Sequence, residues 1–208
     1  MTEPFTADLE TLARAEAFIA SLPLDGTLVP LGRKVAGKDL SLMARYITSP
    51  FSALGKYAPT DTHGSFFLLN IFGNNGNGPE NAGFIDWAIQ DGVATCSNIQ
   101  MYITPKSSHE EVAAEVFGHP FMQDGFMVEE GYLRNGIGSF LAALSLVTLS
   151  RIGAIGIMPI NPGGYATENA QSTWRKFGIE TRTTPKQPFS LALAAAHPQV
   201  TRKIAAFV

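Results

Sequence analysis

The chain has 208 residues, enough for one globular domain with a complete core. Apolar residues make up 45% and charged residues 16%, which excludes a disordered or solvating chain. The net charge of −3 leaves no broad basic face for a nucleic-acid backbone, and the single cysteine, Cys96, excludes an intrachain disulfide.

The first ten residues, MTEPFTADLE, are acidic and lack the basic and apolar regions of a signal peptide. Residues from about Asp8 to Leu22 then carry apolar side chains near helical spacing and stop at Pro23, which predicts an amphipathic helix. LVPLGRKV is expected to be a first strand, and Lys38 to Tyr46 a short helix ending before Pro50. SFFLLNIFG (65 to 73) and GFIDWAI (83 to 89) read as paired strands, because the Asn-Gly steps between them favour the positive backbone angles of a hairpin. Asp91-Gly92 is a second turn signal, and ATCSNIQMYITP is a third strand. Three strands joined by turns make an antiparallel meander. Cys96, among small residues of that third strand, reads as a buried bystander rather than a nucleophile.

Residues 106 to 130 interrupt the meander. SSHEEVAAEVF forms a helix with overlapping capping boxes, Ser107 with Glu110 and Ser108 with Glu111, so those carboxylates read as caps. Then YLRNGIGS opens into a long apolar helix ending near Arg151. The run Phe140 to Leu149 is too short to span a bilayer, so a soluble cytoplasmic protein with no membrane attachment is expected. AIGIMPI is a buried strand, TENAQSTWRKFG a helix closed by Gly178, and Phe189 to Leu193 a final strand. The fold class is therefore α/β, a mixed and mainly antiparallel sheet flanked by helices in one domain over 1–208.

The glycine turn carries the chemistry. Gly136 and Gly138 let the backbone approach a ligand, and the helix start behind them offers N–H groups at the positive end of the helix dipole. That is an anion site suited to phosphate. The turn lacks the third glycine of the dinucleotide fingerprint and the Gly-Lys-Ser/Thr of a Walker A loop. The four histidines, His63, His109, His119 and His197, lack metal-ligand spacing, so no metal site is expected.

Two blocks, VEEGYLRNGIGSFLAALSLVTLSRIG (128 to 153) and TENAQSTWRKFGIE (167 to 180), with the strand between them, resemble the GNAT superfamily of acyl-CoA-dependent N-acyltransferases. The resemblance covers about 50 residues. It implies acetyl-CoA or another acyl-CoA as co-substrate and an amine of a small molecule or protein as acceptor. Arg134, Asn135, Gly136, Gly138 and Ser139 would hold the pyrophosphate. Backbone groups around Met101 to Ile103 would face the thioester, where two strands splay apart. Residues 106–130 would be an insertion beside the acceptor, with Phe117, Phe121, Met122 and Phe126 lining a pocket beneath a lid or simply adding core.

The chain departs from the family pattern at three positions. Leu133 stands where Arg or Gln is usual, with Arg134 one place later, and Thr167 stands where Asn is common. Trp174 stands where the family often has the tyrosine that protonates the departing thiolate; an indole N–H is no such acid. Tyr165 is a nearby substitute. For the base, Glu130 leads a field that includes Glu129, Asp86, His119 and Asp124. A CoA-binding module without catalysis and a member acting on an unusual acceptor such as a nucleobase stand as alternatives. A homodimer is left open, and the acidic pI counts against nucleic acid as a partner.

Overall fold

The computed structural model describes residues 9–48, 65–74, 76, 78–96, 126–159, 168–181 and 187–208. Helix α1 (Leu9–Ser21) precedes a hairpin of β1 (Asp25–Val35) and β2 (Lys38–Ile47). The expected helix at Lys38 to Tyr46 is therefore a strand. The reason is local: Ala36 and Gly37 both take positive φ, 52° and 77°, so Val35 pairs directly with Lys38 in a two-residue turn. Leu40, Leu42 and Ala44 then alternate into the core.

Strands β3 (Ser65–Asn74) and β4 (Pro79–Gln90) pair antiparallel as expected, and β5 (Val93–Cys96) returns from β4 through Asp91 and Gly92, again both at positive φ. A three-residue strand, β6 (Phe126–Val128), and one 3-10 turn (Glu130–Tyr132) lead to α2 (Ile137–Arg151). Then follow β7 (Gly156–Met158), α3 (Glu168–Arg175), β8 (Phe189–Ser190), α4 (Leu191–Ala195) and α5 (Pro198–Ala205).

The eight-stranded sheet runs β1-β2-β3-β4-β5-β7-β8, with β6 also on β4. All of its pairings are antiparallel except β5 with β7. Strands β5 and β6 occupy successive stretches of the same β4 edge. Trp87 faces Cys96 while Ile85 faces Phe126, so two steps back along β4 advance 30 residues along the partner instead of two. Residues 126–128, which fall within the expected insertion of 106–130, belong to the sheet. Residues 97–125, with the helix SSHEEVAAEVF, Phe117, Phe121, Met122, His119 and Asp124, lie outside the described residues.

Helix α2 is buried nearly all round, from Ile137 to Leu149, as a helix between two layers must be. It touches β3, β4 and β6 on one side and α1, α3, α4 and α5 on the other. Small residues, Ala142, Ala143 and Ser145, permit that close approach. The Ser145 hydroxyl accepts the Trp87 indole N–H at 3.0 Å, which satisfies the buried donor. The opposite face of the sheet, by alternation, carries Phe66, Leu68, Phe84 and Ala88, also buried, together with Asn70 and Asp86.

The expected strand at Phe189 to Leu193 is only two residues long. Ser190 takes extended angles, accepts the N–H of Leu193 and starts α4, so Leu191 points into the core and Leu193 is exposed. Helix α5 was not expected. His197 caps it, its Nδ1 accepting the Gln199 N–H at 3.3 Å, and Pro198 occupies the first turn, where its missing N–H is harmless. Among the described residues no helix is long and apolar enough to cross a membrane.

Candidate functional site

The site begins where β6 ends. The backbone N–H of Glu129 donates to the Ala82 carbonyl at 3.1 Å, holding the chain on β4 for one more step. The 3-10 turn then buries the ring of Tyr132, whose hydroxyl donates to the Glu80 carboxylate. Lys38 donates to the same carboxylate and lies 5.2 Å from the Tyr132 ring centre. This arrangement needs Gly73 in β3, because a methyl group there would overlap the Tyr132 hydroxyl. The hydrogen bond from Lys38, and then that from Tyr132, hold the Glu80 carboxyl below its ordinary range; burial, and then Glu80, push the Tyr132 phenol up. The start of the glycine turn is thus pinned to the β3–β4 hairpin.

Beyond Tyr132 the chain bends sharply. Arg134 takes φ 63° and Gly136 φ 85°, two left-handed residues in three, of which only the glycine is at ease. Asn135 donates from Nδ2 to the Leu133 carbonyl at 3.0 Å, so its side chain braces the turn. Gly136 is the N-cap of α2, and among the described residues no side chain caps the helix. The first intrahelical bond runs from the Phe140 N–H to the Gly136 carbonyl. The N–H groups of the first turn are those that a helix leaves without intrahelical partners.

The residues of this first turn line a cleft of about 590 Å³. Tyr132, Arg134, Gly136, Gly138 and Ser139 line one wall, and Asn169, Thr173 and Lys176 of the α3 segment line another. The third wall comes from far away in sequence: Arg33 of β1, Lys203 of α5 and Phe207 after it. Four cationic side chains therefore face the cleft, Arg33, Arg134, Lys176 and Lys203, and among the described residues no aspartate or glutamate lines it. In a chain of net charge −3, that local concentration of positive charge favours an anionic ligand.

Lys176 is placed by the end of α3. The N–H groups of Gly178 and Ile179 return to the carbonyls of Arg175 and Trp174, with Gly178 at φ 74°, which closes the helix in a Schellman motif. Trp174, Phe177 and Ile179 go into the core, and Lys176 turns outward to donate to the Ser139 hydroxyl at 2.9 Å. Burial, and then the charge of Lys203, hold the Lys176 ammonium below the usual lysine range. An anion in the cleft would relieve both.

Arg33 is placed by stacking. Its guanidinium lies 4.6 Å from the centre of the Phe207 ring, which stacks on Phe140 at 4.4 Å. The Gly32 N–H donates to the Phe207 carbonyl at 2.9 Å, tying the last residues to the first strand. The Arg33 Nη1 and Phe207 ring come within 3.8 Å and 3.7 Å of the point where a Cβ on Gly136 would sit.

Of the residues expected to hold pyrophosphate, the structure thus brings Arg134, Gly136, Gly138 and Ser139 to one cleft and uses Asn135 inside the turn. Glu130 is exposed on the 3-10 turn. Met101, Ile103, Tyr165 and Thr167 lie outside the described residues. Trp174 is buried, its ring edge-on to Trp87 at 5.8 Å. Asp86, also buried, is the β4 residue facing the break between β5 and β6. Cys96 is buried; burial and then the Asp86 charge push its thiol well up, which leaves it little thiolate character. Sequence reading missed Arg33, Lys203 and Phe207 as neighbours of the turn. The only sequence signal for Lys203 was the His197-Pro198 helix start, and nothing local marked Arg33. Among the described residues no group of three His, Cys, Asp or Glu could hold a metal ion. Searches against family models, curated proteins and solved structures find no match.

Proposed function

We propose that the protein is an acyl-CoA-dependent N-acyltransferase of the GNAT type, with the CoA pyrophosphate held at the start of α2. One observation carries the reading. Among the described residues, a helix N-terminus without a side-chain cap, approached through a glycine turn, opens on a cleft lined by four cations and no acid. Two further features support it. Strand β5 pairs in parallel with β7, while β6, the next stretch of the same sheet position, has β4 as its only strand partner among the described residues. In the acyltransferase reading, the side of β6 away from β4 is where an extended acyl-pantetheine arm would lie. Lys176 and the α3 segment flank the same cleft.

The reaction would need little from the protein beyond placement. A neutral amine attacks the thioester carbonyl carbon, the C–N bond forms, the C–S bond breaks, and CoA leaves as a thiolate that takes up a proton. The proton lost by the amine passes to a carboxylate or to water. Outward backbone N–H groups along the β6 position are the donors suited to the tetrahedral oxyanion. Asp86, buried and level with the break in the strand, joins Glu130 among the carboxylates to be tested as base.

Isothermal titration with acetyl-CoA and CoA tests the binding step, and saturable binding below millimolar is expected. An absence of heat at millimolar ligand would rule the proposal out. A second reading, a CoA-binding module without catalysis, is favoured by one observation. Trp174 is packed in the core at the position where the resemblance places a tyrosine acid. Release of CoA thiol in the presence of a panel of amines separates the two, because a binding module holds acetyl-CoA without releasing thiol.

A further inference from the structure

The cleft carries more positive charge than a pyrophosphate requires. A pyrophosphate diester has about two negative charges at neutral pH, which Arg134, Lys176 and the helix start can meet. Arg33 and Lys203 are then in surplus. Neither stands on the glycine turn or on the helix behind it: Arg33 comes from β1 and Lys203 from α5. Among the described residues neither is paired with a carboxylate.

Their placement is built rather than incidental. The Arg33 guanidinium is stacked on Phe207, which is itself buried and stacked on Phe140 of α2. The backbone bond from Gly32 to Phe207 fixes the strand that delivers it. Lys203 lies close enough to Lys176 for its charge to depress that ammonium. Holding like charges together without a counter-charge is unfavourable, and a dianionic group between them removes the repulsion. The planar fork of Arg33 suits a phosphate in a way that a lone ammonium does not.

We propose that Arg33, stacked on Phe207, and Lys203 form a second phosphate subsite that reads a phosphomonoester on the ligand. The ligand class is then a nucleotide with both a 5′-pyrophosphate and a separate ribose phosphate, which distinguishes CoA from 3′-dephospho-CoA. This rests on the CoA reading of the cleft given above.

The test is isothermal titration of the full chain with CoA and with 3′-dephospho-CoA. CoA is expected to bind at least about tenfold more tightly. Arg33→Gln and Lys203→Gln should each lower CoA affinity several-fold and leave dephospho-CoA affinity unchanged, so that the gap narrows. Lys203→Gln guards against loss of folding in the Arg33 variant, because Lys203 makes no stacking contact, and unchanged melting curves verify both. Equal affinity of the two ligands for the unaltered protein would overturn the proposal, as would variants that weaken both ligands alike. If neither ligand binds at millimolar concentration, the CoA reading itself fails, and the subsite falls with it.

Discussion

The two ends of α2 are finished in opposite ways. At its C-terminus, Gly153 takes φ 90°, and the N–H groups of Gly153 and Ala154 return to the carbonyls of Ser150 and Leu149, closing the last turn. Arg151 at that end is committed elsewhere: its guanidinium donates to the carbonyls of Ile19, Ala20 and Leu22 at the end of α1, the Leu22 contact at 2.9 Å. At its N-terminus there is no side-chain cap, and the nearby cations Arg33, Arg134 and Lys203 have no carboxylate partner among the described residues. A helix needs closure at both ends for stability. An end left without a side-chain cap and ringed with cations is, in the reading proposed above, the end that meets the ligand.

That contrast can be broken residue by residue. The largest effect is expected at the open end, from Gly136→Val. Space is not the obstacle there, since the new Cβ would have only ordinary contacts with Phe207 and Arg33. The positive φ is the obstacle, costing a β-branched residue about 1–3 kcal/mol. Relief comes by reorienting the turn, and CoA affinity in isothermal titration should fall about a hundredfold. An unchanged affinity would show that the turn does not meet the ligand.

Arg151→Met probes the closed end. Loss of charged hydrogen bonds to the α1 carbonyls, at an exposed site, should cost about 1–2 kcal/mol of stability. The melting temperature should then drop by about 2–6 °C with CoA affinity unaltered. A variant that melts normally but binds CoA poorly would reverse the assignment of the two ends.

Lys176 gives a pH signature. Its folded-state pKa is lowered, by burial and then by Lys203, so the unfolded chain holds that proton to higher pH. Stability from this group therefore rises as pH climbs through the depressed value toward the ordinary lysine range of about 10.4, and is level above it. Anion binding has the opposite slope: it favours the charged ammonium, so CoA affinity should decline as pH rises through the same window. Lys176→Gln should lower affinity about tenfold at neutral pH and flatten the decline, as measured by titration across alkaline pH. A decline of equal steepness in the variant would assign it to another group. The smallest effect belongs to Ser139→Ala, which removes one acceptor from Lys176 and should weaken CoA binding about two- to threefold.

What could be read in the sequence was whatever depends on neighbours along the chain. The aromatic run of β3, the Asp91-Gly92 turn, the apolar α2 and the Gly178 stop all depend on residues within a few positions. The turn LRNGIGS was legible as a glycine turn opening into a helix for the same reason. The segment Lys38–Ile47 was misread because its apolar residues fit more than one period, and the deciding feature was Ala36 adopting a positive φ that alanine rarely takes. Phe189, Leu191 and Leu193 alternate like a strand, yet the Ser190 cap makes Leu193 an exposed helical residue. The third wall of the cleft was illegible. Arg33 and Phe207 meet because the first strand and the last residues are stitched together across α2, a contact between residues at opposite ends of the chain.

The central claim is that the N–H groups at the start of α2 receive a phosphate of CoA. Amide chemical-shift mapping on 15N-labelled protein tests it most directly. Addition of CoA should shift the amides of Gly136, Gly138 and Ser139 more than those of Ile152 and Gly153 at the other end of the same helix. Saturable binding of CoA that leaves the first turn of α2 unperturbed would contradict the account.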